Sequence, residues 1–146
     1  MAEDNKNLFN KKITHGSDNP YYVETKKQLD SVGKGFCLAK WTQVTLQLQT
    51  GHNHSCHHPR THKINLKEIE RNPSALHNTQ YKKIRRKEML DGKRPAECDY
   101  CWNVEDNSDR FSDRVFKSGE TWSKPHFDEI KNSDWRANIN PRYVEV

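Results

Sequence analysis

Arg94-Pro95-Ala96-Glu97-Cys98-Asp99-Tyr100-Cys101-Trp102 carries the one closely spaced cysteine pair of this 146-residue chain. Two residues between the thiols let both point at one centre, which makes half of a zinc or iron–sulfur site. Cys37 and Cys56, far upstream, complete a set of four with none left over. Eighteen residues separate Cys37 from Cys56, and forty-one separate Cys56 from Cys98. Such intervals are no obstacle to a shared metal. Doubling a loop costs only about 0.6 kcal/mol, whereas a structural zinc site contributes roughly 10–16 kcal/mol. They do differ from common zinc fingers, in which both pairs are close-spaced.

The rest of the composition says why such a cross-link is needed. Leu, Ile, Val and Phe make up 26 of the 146 residues, and the net charge is +5. That is a marginal core, helped by four Trp and five Tyr, and a small core of this kind depends on a staple. The polar opening Met-Ala-Glu-Asp-Asn-Lys-Asn has no apolar signal segment, and no apolar run reaches membrane-spanning length. A cytoplasmic, reducing setting is therefore expected, where four cysteines favour metal over disulfides.

Outward from the cysteines, Thr42 to Gln49 alternates, with Thr42, Val44, Leu46 and Leu48 on one face. This predicts a half-buried strand. Thr50-Gly51-His52-Asn53 supplies the turn, and His54-Ser55-Cys56 is expected to return as its partner. Asn65 caps a predicted helix through Arg71 that Asn72-Pro73 ends, and a second helix is predicted from Ser74 to Leu90, stopping at Asp91-Gly92. A short helix towards Lys117 and another over His126–Lys131 follow. The expected fold class is α+β: a small metal-stapled domain with a β-hairpin, two or three helices and long irregular termini. Its parts are a polar arm (1–34, with a short helix over Val23–Leu29 as the competing reading), a cysteine domain (35–105), a linker with short helices (106–140), and the start of a strand (141–146). That last strand has no partner in view, which predicts a chain cut short.

Two features leave alternatives open. His52, His54, His57 and His58 surround Cys56, either as a polar hairpin end or as a source of one metal ligand. Lys82, Lys83, Arg85, Arg86 and Lys87 form a basic run, read as a solvated helix face ahead of a phosphate or nucleic-acid contact. No Gly-rich phosphate loop, Gly-x-Ser-x-Gly or His-Glu-x-x-His occurs, so organic catalysis has no visible machinery.

Phe36-Cys37, Trp41, the alternating strand, Gly51, Cys56, a helix ending at Gly92 and Pro95-x-x-Cys98-x-x-Cys101 together resemble the SPASM/twitch region of radical SAM proteins. The resemblance covers residues 35–105. It implies an auxiliary [4Fe–4S] cluster held by Cys37, Cys56, Cys98 and Cys101, with zinc as the alternative metal. It also implies that Pro141–Val146 opens the first strand of a radical SAM barrel, in an arrangement where the cluster region precedes the barrel. The Cys-x-x-x-Cys-x-x-Cys that binds the SAM-cleaving cluster is missing, since Arg94 stands four before Cys98. S-adenosylmethionine thus belongs only to a longer parent enzyme. A four-cysteine cluster is closed, and its roles are electron transfer or structure. The implied partners are the barrel in cis or an electron donor, with nucleic acid not favoured and no membrane. The competing class is a zinc-binding structural module.

Overall fold

The computed structural model describes residues 19–146, so residues 1–18 of the expected arm lie outside the described residues. Helix α1 (Pro20–Val32) begins where the sequence punctuates it. Asn19 Oδ1 accepts the Tyr21 N–H, and Pro20 fills the first helical position, where its missing N–H costs nothing. The expected loose arm through residue 34 is corrected here. Leu29 is buried, and Tyr22, Val23 and Val32 pack against the same core, so this stretch is a docked helix.

Helix α2 (Ala39–Thr42) runs directly into β1 (Gln43–Gln47), two residues shorter at its far end than the alternation predicts. The strand is not half-buried. Gln43, Val44 and Thr45 are all buried, while Leu48, beyond the strand, is 65% exposed. β1 is an inner strand of a four-stranded sheet of order β3-β2-β1-β4, and Lys82 of a later helix reaches its Gln43 carbonyl. Thr50 and Gly51 both donate their N–H to Gln47 O, and Gly51 turns with φ +72, a conformation glycine adopts without steric cost. β2 (His52–His54) returns antiparallel, with Thr45 opposite His54, and β3 (His62–Lys63) adds outside it. β4 (Tyr143–Glu145) runs parallel to β1, with Val44 beside Val144. The closing strand therefore has a partner within the chain.

Asn65 caps α3 (Leu66–Arg71) by accepting the Lys67 N–H, as the sequence predicts. The predicted single helix from Ser74 to Leu90 is interrupted. A 3-10 turn (Pro73–Leu76) gives way at His77, and α4 (Gln80–Leu90) restarts under a new cap, Thr79 Oγ1 accepting the Lys82 N–H. The inward stripe of α4 is Lys82, Arg86 and Met89, each 1% exposed or less. The basic run is thus not a solvated face. Lys82 Nζ donates to Gln43 O (3.2 Å) and His77 Nδ1 (2.9 Å), and Arg86 donates to Lys40 O (3.0 Å) and Asn78 Oδ1 (2.7 Å). Carbonyls and a neutral ring take the place of water. Burial, then Arg86 and Lys40, hold Lys82 well below the usual ammonium range. Burial, then Lys82 and Arg86, push His77 down to about 2, and this neutral ring donates from Nε2 to Trp41 O (2.7 Å).

Helix α5 (Asp99–Asn107) begins inside the cysteine pair. α6 (Asp113–Ser118) and α7 (Phe127–Lys131) follow. The expected linker over 106–140 is corrected: Phe111, Val115, Phe127 and Ile130 join Leu29, Phe36, Leu38, Trp41 and Met89 in one core. The fold is α+β, with seven α-helices and a four-stranded sheet among the described residues. Buried Arg114 ties three segments together, pairing with Glu105 (2.6 Å) and Asp30 (2.7 Å) and donating to Phe36 O (2.9 Å). Among the described residues no helix is long and apolar enough to cross a membrane.

Candidate metal centre

Four segments deliver one cysteine each. Cys37 follows buried Phe36 in the turn before α2. Gly35 allows this: a Cβ there would lie 2.4 Å from Lys93 O and 2.7 Å from Arg94 Cα. The Cys37 segment thus lies directly against the segment that leads to Cys98. Cys56 leaves β2 just past the hairpin, while Cys98 ends a 3-10 turn (Ala96–Cys98) and Cys101 sits one turn into α5. All four line a single cavity, walled by Ala39, Pro59, Met89 and Trp102 and flanked by Lys40 and Arg114. None forms a disulfide.

Backbone and hydroxyl groups hold the sulfurs. The His58 N–H donates to Cys56, and the Arg114 N–H donates to Cys101. Ser118 Oγ donates to Cys37 Sγ (3.7 Å), and that thiol faces Arg114 O (3.9 Å). Burial pushes Cys98 up to about 12, against the pull of Lys40, with Cys37 raising it further. Burial followed by the neighbouring thiols also raises Cys56 and Cys101. Without a cation these groups stay protonated at neutral pH; as a set they become thiolates only around a positive centre.

Positive charge surrounds the cavity. Lys40 Nζ donates to Ser55 Oγ (2.9 Å) and Glu97 Oε1 (2.7 Å), and Tyr81 donates to the other oxygen of Glu97 (2.8 Å). Burial works against the Lys40 charge, yet Cys98 and Glu97 hold its ammonium above the ordinary range. Lys82 and Arg86 are buried as well, and Asp113 adds a carboxylate to the cavity lining. Sequence reasoning overlooked Lys40, Ser118 and Arg114, which carry no spacing signal; Glu97, next to Cys98, was the one in plain view.

Four thiols at one cavity suit either metal: a tetrahedral ZnS4 centre takes all four on one ion at about 2.3 Å, and in a cubane each thiolate binds its own iron. Three of the neighbouring histidine rings are hydrogen-bonded elsewhere, although His58 lines the same cavity as the thiols. His54 donates from Nδ1 to Cys56 O, His52 Nδ1 meets Thr61 Oγ1 (3.0 Å), and His58 Nε2 hydrogen-bonds Asp113. No protein-family model, curated protein or solved structure matches this chain.

Proposed function

We propose that this chain is the auxiliary-cluster region of a radical SAM enzyme, with Cys37, Cys56, Cys98 and Cys101 holding a [4Fe–4S] cluster. The observation that carries the reading is the meeting of four cysteines, spread over more than sixty positions, in one cavity. The donor set fits the group. It is four soft thiols lining one cavity, with the Lys40 ammonium beside them to offset thiolate charge. The order of parts agrees with the twitch resemblance: cysteine, hairpin turning at Gly51, cysteine, helix closed by Gly92 (φ +80), then Cys98-x-x-Cys101.

When bound, such a cluster supplies one-electron transfer, and with four cysteine ligands it offers no open iron to a substrate. The chain's own residues set its surroundings. Lys40 offsets thiolate charge at Cys98 and Cys56. The His58 and Arg114 N–H groups bond the sulfurs of Cys56 and Cys101, and Met89 and Trp102 exclude water. SAM cleavage and substrate choice belong to a barrel in cis, and electrons come from that barrel or from a donor protein. The nucleic-acid alternative loses its main support because Lys82 and Arg86 face inward.

The test is anaerobic reconstitution with iron and sulfide, followed by metal analysis and an optical spectrum. About four irons per chain and a broad band near about 400 nm, both lost in Cys98→Ala/Cys101→Ala, are the expected result. One zinc per chain, no colour and unfolding by chelator would overturn it in favour of a zinc structural module.

A further inference from the structure

A second cluster of ligating groups stands at the rim of the cysteine cavity and takes no part in the thiol set. His57, His58 and Asp113 each place one ligand atom, a ring nitrogen or a carboxylate oxygen, within 4.8 Å of the other two, the only such trio among the described residues. Both imidazoles aim at the same atom: His58 Nε2 hydrogen-bonds Asp113 Oδ2, and His57 Nε2 lies 3.9 Å from it. We propose that His57, His58 and Asp113 bind a divalent first-row transition ion, a site separate from the four cysteines.

The geometry is close to what such an ion needs. Nitrogen and oxygen donors at about 2.0–2.2 Å from a tetrahedral ion lie about 3.3 Å apart. Against that spacing His57 stands less than an ångström too far from Asp113 and His58 too close to it, and the His57 side chain is 62% exposed, so little resists its movement. His58 is already oriented. Its ring stacks on Tyr100 (3.9 Å between centroids, 14° between planes), and its own N–H is engaged by Cys56. Two imidazoles and one carboxylate suit zinc, iron(II), cobalt or nickel, whereas calcium and magnesium call for oxygen ligands. Exposure at His57 leaves the remaining coordination positions to water.

Charge points the same way. Asp113 lines the cysteine cavity together with His58. His57 and His58 are the rings that face the Asp113 carboxylate. A divalent cation between the three would neutralise the carboxylate and place positive charge beside Cys56.

The test uses the full chain with its cysteine site first filled, by iron and sulfide or by one equivalent of zinc, whichever it takes, and loosely held metal then removed on a desalting column. Co(II) is then titrated, with calorimetry for stoichiometry and the visible spectrum for ligand type. The inference expects one further Co(II) per chain with weak ligand-field bands and no thiolate charge transfer. Asp113→Asn should weaken it at least about tenfold, and His57→Ala/His58→Ala should abolish it. His57→Ala alone, at an exposed position, should also weaken it while leaving the circular dichroism unchanged. No further Co(II), equal binding by the double variant, or a band dominated by thiolate charge transfer would overturn it. Because the cysteine site is filled beforehand with whatever it accepts, failure here leaves the cluster reading standing, and the reverse also holds.

Discussion

His77 makes folding sensitive to mild acid. Its ring is 4% exposed, donates to Trp41 O and accepts from Lys82 Nζ, and a proton on Nδ1 would face Lys82 and Arg86 with no carboxylate near. Its folded pKa is about 2 against 6.5 for the free side chain. Between those values the unfolded chain binds a proton that the folded chain refuses. Stability is therefore full above pH 6.5 and falls as the pH drops toward 2. At pH 5 the penalty is about 2 kcal/mol, a large part of what a domain this size has to lose. The measurement is urea unfolding at pH 7.5 and pH 5 for the wild type and His77→Gln, which keeps a donor and an acceptor but does not titrate. Carboxylates common to both proteins cancel in the difference. His77→Gln should cost stability at pH 7.5 yet show a shallower loss on acidification, by about 2 kcal/mol. Equal pH slopes in the two proteins would refute the account of a neutral, cation-flanked ring.

Three further outcomes follow from packing and charge. Arg114→Met leaves Glu105, 5% exposed, with only the longer contact to Lys26 (3.9 Å) and should cost about 3–5 kcal/mol in urea unfolding; a loss below about 1 kcal/mol would mean the pair is dispensable. Gly35→Ala drives a methyl into Lys93 O and Arg94 Cα, so it should destabilise by about 1–3 kcal/mol and lower metal retention, read by chelator competition, because Cys37 and Cys98 are forced apart. Lys40→Met strands Glu97 and should be strongly destabilising, whereas Lys40→Met/Glu97→Gln should recover part of the loss; strict additivity in this double-mutant cycle would show that the two do not couple.

What the sequence made legible was local. Asn65 and the Asn72-Pro73 stop frame α3, and Gly51 turns the hairpin, because caps and turns are decided by a residue and its immediate neighbours. The meeting of the four cysteines in one cavity was also foreseeable from their number and spacing. α4 was misjudged for a physical reason. A hydrophobicity pattern scores Lys82 and Arg86 as outward, and only the tertiary arrangement supplies the Gln43, Lys40 and Asn78 oxygens that let them turn in. Residues 106–140 read as a linker because Phe111, Val115, Phe127 and Ile130 fall on separate short elements with no sustained period. The Asp113 rim was invisible for the opposite reason: its partners stand fifty-five residues away.

The parallel pairing of β4 with β1 has a consequence in time. Gln43 meets Tyr143 across about a hundred residues of chain, whereas β1 meets β2 across one tight turn. The hairpin forms on a microsecond scale, but the distant strand must wait until the intervening helices have brought it home. What rewards its arrival is small: three exposed residues, the Arg142 N–H on Thr42 O (2.7 Å) and Tyr143 stacked on Trp122 (4.9 Å). Throughout that interval one side of β1 is an open ladder with buried-type residues, Val44 among them, at its edge. A nascent chain is most prone to pair with its neighbour at that stage, and β4 acts as the latch that ends the exposure.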